Sequence, residues 1–146
     1  MSIYNDLHSK YTEGWTLELQ HWSDLEHVAA RSRNDFASYL GIGTAATVRV
    51  DGQTLPIVEL GFLDDKQKFQ SCSASELPRV GRELHVVLRL NFQIDVDPPK
   101  KVQHVFSYVL IKENGLYEAI DRLGFENKRF PVPEFKGLFD YFLQGI

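Results

Sequence analysis

Leu84-His85-Val86-Val87-Leu88-Arg89-Leu90-Asn91-Phe92-Gln93-Ile94-Asp95-Val96 places an apolar residue at every even position and, Val87 aside, a polar or charged one at every odd position. A strict period of two marks a strand with one face in a core and the other in a more polar setting. At about 3.3 Å per residue the run extends roughly 43 Å, far beyond the usual strand of about 5–6 residues. It predicts a large, twisted, antiparallel sheet.

The neighbouring segments fit such a sheet. Val102–Lys112 reads as a second long strand, reached through the loop Asp97-Pro98-Pro99-Lys100. If Val96 opposes Lys101, Phe92 faces Val105, Leu90 faces Ser107 and Leu88 faces Val109. The other face then gathers Arg89 beside Tyr108, Asn91 beside Phe106 and Gln93 beside His104. Aromatic rings mixed with hydrogen-bonding groups suit a ligand pocket, so these six are the candidate ligand-binding residues. The competing reading is that a helix covers that face. A one-residue slip would send Phe106, Tyr108 and Leu110 into the core instead, because register decides facing.

Upstream, Ala46, Val48 and Val50 alternate up to Asp51-Gly52, a favoured hairpin turn. Leu55–Leu63 returns, and Lys66–Ala74 is a more polar strand suited to an edge. Asn114-Gly115 signals a further hairpin into Leu116–Ile120. The first 40 residues read as three pieces: a short helix over Ile3–Tyr11 capped by Ser2, a strand Trp15–Gln20 after Gly14, and a long helix Asp24–Leu40. The capping-box sequence Ser23-Asp24-Leu25-Glu26 opens that helix and Gly41 ends it. Asp121–Arg129 is loop-like, and Pro131 and Pro133 introduce a last helix with Phe135, Leu138, Phe139 and Phe142 on one stripe. The expected fold is α+β, a single domain over residues 1–146. A strongly twisted antiparallel sheet of about six or seven strands packs with one long helix and a C-terminal helix.

Composition narrows the function classes. The chain has 146 residues, is 43% hydrophobic and carries a formal charge of −4, enough apolar content for a core and the wrong sign for tracking phosphates. No nucleic-acid partner is expected. The start of the chain lacks signal-peptide features, and no apolar run reaches the roughly 18–20 residues needed to span a bilayer. A lone Cys72 and the lack of Asn-x-Ser/Thr acceptors favour a reducing, cytoplasmic setting without a membrane partner.

Catalytic signals are sparse. Gly41-Ile42-Gly43-Thr44-Ala45-Ala46 matches a dinucleotide fingerprint in letters only, because it follows a helix and precedes a strand, the reverse of what the chemistry requires. His21, Asp24 and His27 sit close in sequence but straddle the expected strand–helix junction, so neither a metal nor a cofactor is expected. Cys72 has no adjacent base to activate it. The Phe135, Leu138, Phe139 and Phe142 stripe either caps the sheet or packs against a second subunit.

The order of strand, long helix and antiparallel meander is similar to that of hot-dog domains, which handle acyl thioesters. That resemblance implies that Asp24, Glu26 or His27, near the helix start, would polarise water or substrate. Without it, the absence of an assembled catalytic signature points to a non-catalytic binding or interaction module. Such a module would take a small molecule or protein on the mixed sheet face, or form a homodimer through the C-terminal stripe.

Overall fold

The computed structural model describes residues 2–122, 127–132 and 134–146, so the middle of the expected Asp121–Arg129 loop and Pro133 lie outside the described residues. In chain order the elements are α1 (Ile3–Tyr39), β1 (Thr47–Val50), β2 (Gln53–Pro56), β3 (Val58–Leu63), β4 (Phe69–Ser71), β5 (Arg79–Val80), β6 (Glu83–Ile94), β7 (Lys100–Glu113), β8 (Leu116–Ile120), β9 (Arg129–Val132) and α2 (Lys136–Gln144). The fold is α+β: the two helices pack on a seven-stranded antiparallel sheet in the order β4-β3-β6-β7-β8-β9, with β5 beside the start of β6. β1 and β2 form a separate hairpin around Asp51-Gly52.

Ile3–Tyr39 forms one helix, where three elements were expected. Its N-cap is Ser2, whose hydroxyl accepts from the Asn5 amide at 3.1 Å. Nothing local stops the ladder after Tyr11. Gly14 costs a helix about 1 kcal/mol relative to alanine, which weakens without breaking it. Thr12 and Thr16 fold their hydroxyls back onto the carbonyls four residues earlier. The alternation of Trp15, Leu17 and Leu19 resembles a strand only until the helical angle is applied, which puts Trp15 and Leu19 on one side of the cylinder and Leu17 on the other. The Ser23–Glu26 capping letters fall inside this helix, where the amides they would cap already have partners. The other end meets expectation: Gly41 takes φ +78°, and the Ile42 and Gly41 amides donate to the Ala37 and Ser38 carbonyls. This is a Schellman cap.

The second half of α1 supplies Trp22, Leu25, Ala29, Phe36 and Ala37 to the core. They meet the even positions Leu84, Val86, Leu88 and Leu90 of β6 and Phe106, Tyr108 and Leu110 of β7. α2 adds Leu138, Phe139 and Phe142 to the same core, and Phe135 precedes it there. Phe142 stacks on Phe106 at 4.9 Å, and Phe139 lies 4.8 Å from Phe36. The sheet's other face carries a smaller cluster of Val109, Ile111 and Ile120.

The register of the two long strands differs from the expected one. Leu84 opposes Leu110, Leu88 opposes Phe106, and Ile94 opposes Lys100, so the connecting loop is Asp95–Pro99. The shift is an odd number of residues and therefore exchanges the faces of β7 relative to β6. The expected strand Leu55–Leu63 divides between β2 and β3, which lie in different sheets, and Lys66–Ala74 shortens to β4. β9 departs too: Pro131, expected to lead a helix, sits opposite Glu118 in a strand at the sheet edge, where proline's missing N–H is tolerated.

Candidate interaction surface

The exchanged faces divide the six candidate ligand-binding residues. Phe106 and Tyr108 lie under α1 and α2, with Phe106 edge-on to Phe36 and Tyr108 2% exposed. His104 joins that side, 6.3 Å from the Phe106 ring and 6.1 Å from Phe92. Arg89, Asn91 and Gln93 occupy the opposite face, so the structure does not bring the six together.

On that opposite face Arg89 and Asn91 are already engaged. The Arg89 guanidinium bonds the Glu59 carboxylate at 2.6 and 2.7 Å and lies 4.3 Å from the centre of the Phe69 ring. The Asn91 side-chain amide donates to the Pro56 carbonyl and to Glu59, each at 2.8 Å, while its oxygen accepts from Gln103. Asn91 and Glu59 are both buried. The cluster ties β2, β3, β6 and β7 together and uses its groups on one another, as burial of charge requires. Gln93, beyond it, is half-buried and opposes Lys101.

The candidate catalytic residues on α1 diverge. Successive residues turn about 100° around a helix, which puts Asp24 and Glu26 roughly 200° apart. Asp24 bonds Lys112 at 2.7 Å and accepts from Gln20 at 2.6 Å, and the two bonds hold its carboxyl below the ordinary aspartate range. Glu26 pairs with Arg79, whose guanidinium covers Trp22. His27 Nδ1 contacts the Ser23 carbonyl at 2.7 Å. His21 is buried against Trp22, with its Nε2 3.1 Å from the Arg82 carbonyl. No cluster of three metal-ligating side chains occurs among the described residues. Burial pushes the Cys72 thiol up, away from the reactive thiolate.

The Phe135, Leu138, Phe139 and Phe142 stripe, a candidate dimer face, is buried within this chain, each residue at most 7% exposed. Tyr39 caps it by donating its hydroxyl to Asp140. Away from the helices, Phe62, Leu63, Val87, Ser107 and Val109 line a cavity of about 290 Å³, just under the usual range for ligand pockets of about 300–1,000 Å³.

A different surface stands out, and sequence reading passed it over. Every residue from Ser2 to Leu17 is exposed, so the first half of α1 projects beyond the sheet as an arm. At 1.5 Å per residue the arm is roughly 24 Å long. Tyr4, Tyr11 and Trp15 are 74%, 75% and 66% exposed, and with Leu7, His8 and Thr12 they line one groove. The sequence held the signal. Tyr4, His8, Tyr11, Trp15, Glu18, Trp22, Leu25, Ala29, Ser32 and Phe36 follow one unbroken spacing of four and three. Its later members form the face that packs on the sheet. The earlier members carry the same face out past the sheet, while Asp6, Lys10 and Glu13 sit on the arm's other side. Glu18, at the boundary, accepts from the Trp22 indole and pairs with Arg82, which lowers its carboxyl pKa.

Comparison with known proteins finds no matching family model, no matching curated protein and no matching solved structure. No helix among the described residues is long and apolar enough to cross a membrane.

Proposed function

We propose that this chain is a non-catalytic interaction module whose contact surface is the aromatic groove of the α1 arm. The observation that carries this reading is the exposure of Tyr4, Tyr11 and Trp15 on one side of a helical arm in which every residue from Ser2 to Leu17 is exposed. In proteins most helical stability comes from burying an amphipathic face against a partner, and the first half of α1 has no such packing in the single chain among the described residues. Contiguous exposed apolar surface with aromatic anchors is the usual composition of a protein-binding hot spot. The engagement of Asp24, Glu26 and His27 with separate neighbours supports the same reading, since acid–base chemistry needs convergent groups.

The test is site-specific photocrosslinking in the chain's own host. A photoreactive phenylalanine analogue replaces Tyr11 in the groove or Ser9, roughly 200° around the helix. Discrete protein adducts from position 11 and few from position 9 are expected. Equal labelling from both positions, or none from either, would overturn the reading.

A further inference from the structure

We infer that the occupant of the groove is a second copy of this chain, with the two arms packed antiparallel. This rests on the interaction reading above and names its partner.

The spacing is that of a coiled-coil seam, in which alternate steps of three and four present side chains to a facing helix. Placing a two-fold axis between Ser9 and Lys10 sets Tyr4 of one copy against Trp15 of the other, and His8 against Tyr11. Each ring then meets a ring, and all four positions are exposed in the single chain. A parallel, in-register pair would instead set each seam residue against its own copy, His8 on His8 and Trp15 on Trp15. It would also bring both sheet domains to the same end of a short arm. The antiparallel pair puts them at opposite ends and opposes the two helix dipoles.

Charge and area agree. Asp6, Lys10 and Glu13 lie outside the seam, so pairing buries no unpaired charge. The chain's net charge of −4 is little obstacle, because domains separated by a roughly 24 Å arm lie well beyond the Debye length of about 8 Å. With Tyr4, Tyr11 and Trp15 at 66% to 75% exposure, and roughly 150–250 Å² per aromatic side chain, the three rings offer on the order of 400 Å² per copy. Leu7 is 48% exposed and, with His8, adds to this. If pairing covers these side chains completely it buries about 1,000 Å² in total, the area at which specific interfaces begin.

The test takes the intact chain through sedimentation equilibrium and dipolar distance measurement. A dimer is expected, and the combined substitution Tyr11→Glu and Trp15→Glu should make it monomeric. The near-UV circular dichroism bands of the buried core rings should remain, because both residues stand clear of the core. Spin labels at Lys10→Cys or Leu17→Cys, on a Cys72→Ser background, then report direction. These positions are one heptad apart on the side of the arm away from the groove. The antiparallel pair separates the two Leu17 labels by roughly 22 Å along the axis and the two Lys10 labels by about 2 Å. Equal distances at the two positions, or a dimer that survives the double substitution, would overturn the inference. A monomer at all concentrations whose position-11 probe captures a different protein would end it while leaving the interaction reading in place. A monomer with no crosslinks would end both.

Discussion

Tyr108 and Ser32 form the contact that most directly tests the arrangement of the core. The Tyr108 hydroxyl donates to Ser32 Oγ at 2.7 Å, and Ser32 in turn donates to the Ala29 carbonyl at 2.6 Å, with Ser32 fully buried and Tyr108 2% exposed. Ser32→Ala leaves the buried phenol without its acceptor, at a cost of about 1–3 kcal/mol. The better helix propensity of alanine offsets a few tenths of a kcal/mol of that. Tyr108→Phe removes the donor but leaves the serine bonded to Ala29, so its cost is about 1 kcal/mol. In the double variant the orphaned hydroxyl no longer exists. Its cost should therefore fall short of the sum of the single ones by about 1–2 kcal/mol, the coupling expected of groups in direct contact. Urea denaturation of the four proteins at constant slope measures this. In a chain of this length each kcal/mol also moves the melting temperature by about 3–4 °C. Costs that add within about 0.5 kcal/mol would refute the reasoning. Additivity is the outcome expected if Tyr108 lay on the sheet face away from α1, as a one-residue change of register would place it.

Gly61→Ala should loosen the β3–β4 edge, because a Cβ there would lie 2.0 Å from the Gln70 carbonyl oxygen and 2.7 Å from the Phe69 ring. Overpacking of this kind costs about 1–3 kcal/mol. Hydrogen exchange should show protection lost at Phe69–Ser71 and kept in β6 and β7; unchanged protection at β4 would contradict it. Acid should weaken the fold through Asp24 and Asp140, whose pKa values are lowered by the Lys112 and Tyr39 hydrogen bonds respectively. A lowered native pKa gives stability that is intact above the ordinary value of 3.8 and lost as pH falls through the native one. Asp24→Asn should therefore flatten the acid limb of a stability–pH curve, and an unaltered limb would count against the Lys112 pairing. Alkali should act through Tyr108, raised by burial, and Tyr39, raised by donating to Asp140. A raised native pKa gives stability that is complete below about pH 10 and lost above it. Tyr108→Phe should accordingly lessen the alkaline loss measured by urea midpoint.

The Leu84–Val96 run announced a long strand, and β6 spans Glu83–Ile94. Its even side is core from Leu84 to Leu90, while Phe92, Ile94 and Val96 are exposed; Gly41 caps α1, Asn114-Gly115 turns the chain, and the α+β class follows. These features were legible because each depends on local backbone chemistry or on the period of one strand. The register of β7 was not. Its even positions include Phe106, Tyr108 and Leu110 and its odd ones Val105, Val109 and Ile111, so both faces are apolar and hydropathy alone does not choose between them. The choice came from α1 and α2, whose Phe36 and Phe142 pack on Phe106 and whose Ser32 accepts from Tyr108.

The same distinction separates the two aromatic stripes. By itself the sequence determined that Phe135–Phe142 is a sticky helix face, and the spacing of Tyr4, His8, Tyr11 and Trp15 makes another once those residues belong to one helix, since spacing sets which side chains share a side. Only the tertiary structure decided which face was already covered. The C-terminal stripe finds Phe36, Phe106 and Tyr108 across from it within its own chain. The sheet does not reach the first half of α1, and Tyr4, Tyr11 and Trp15 remain in solvent. Amphipathicity is written in neighbouring residues, but burial depends on segments a hundred positions away.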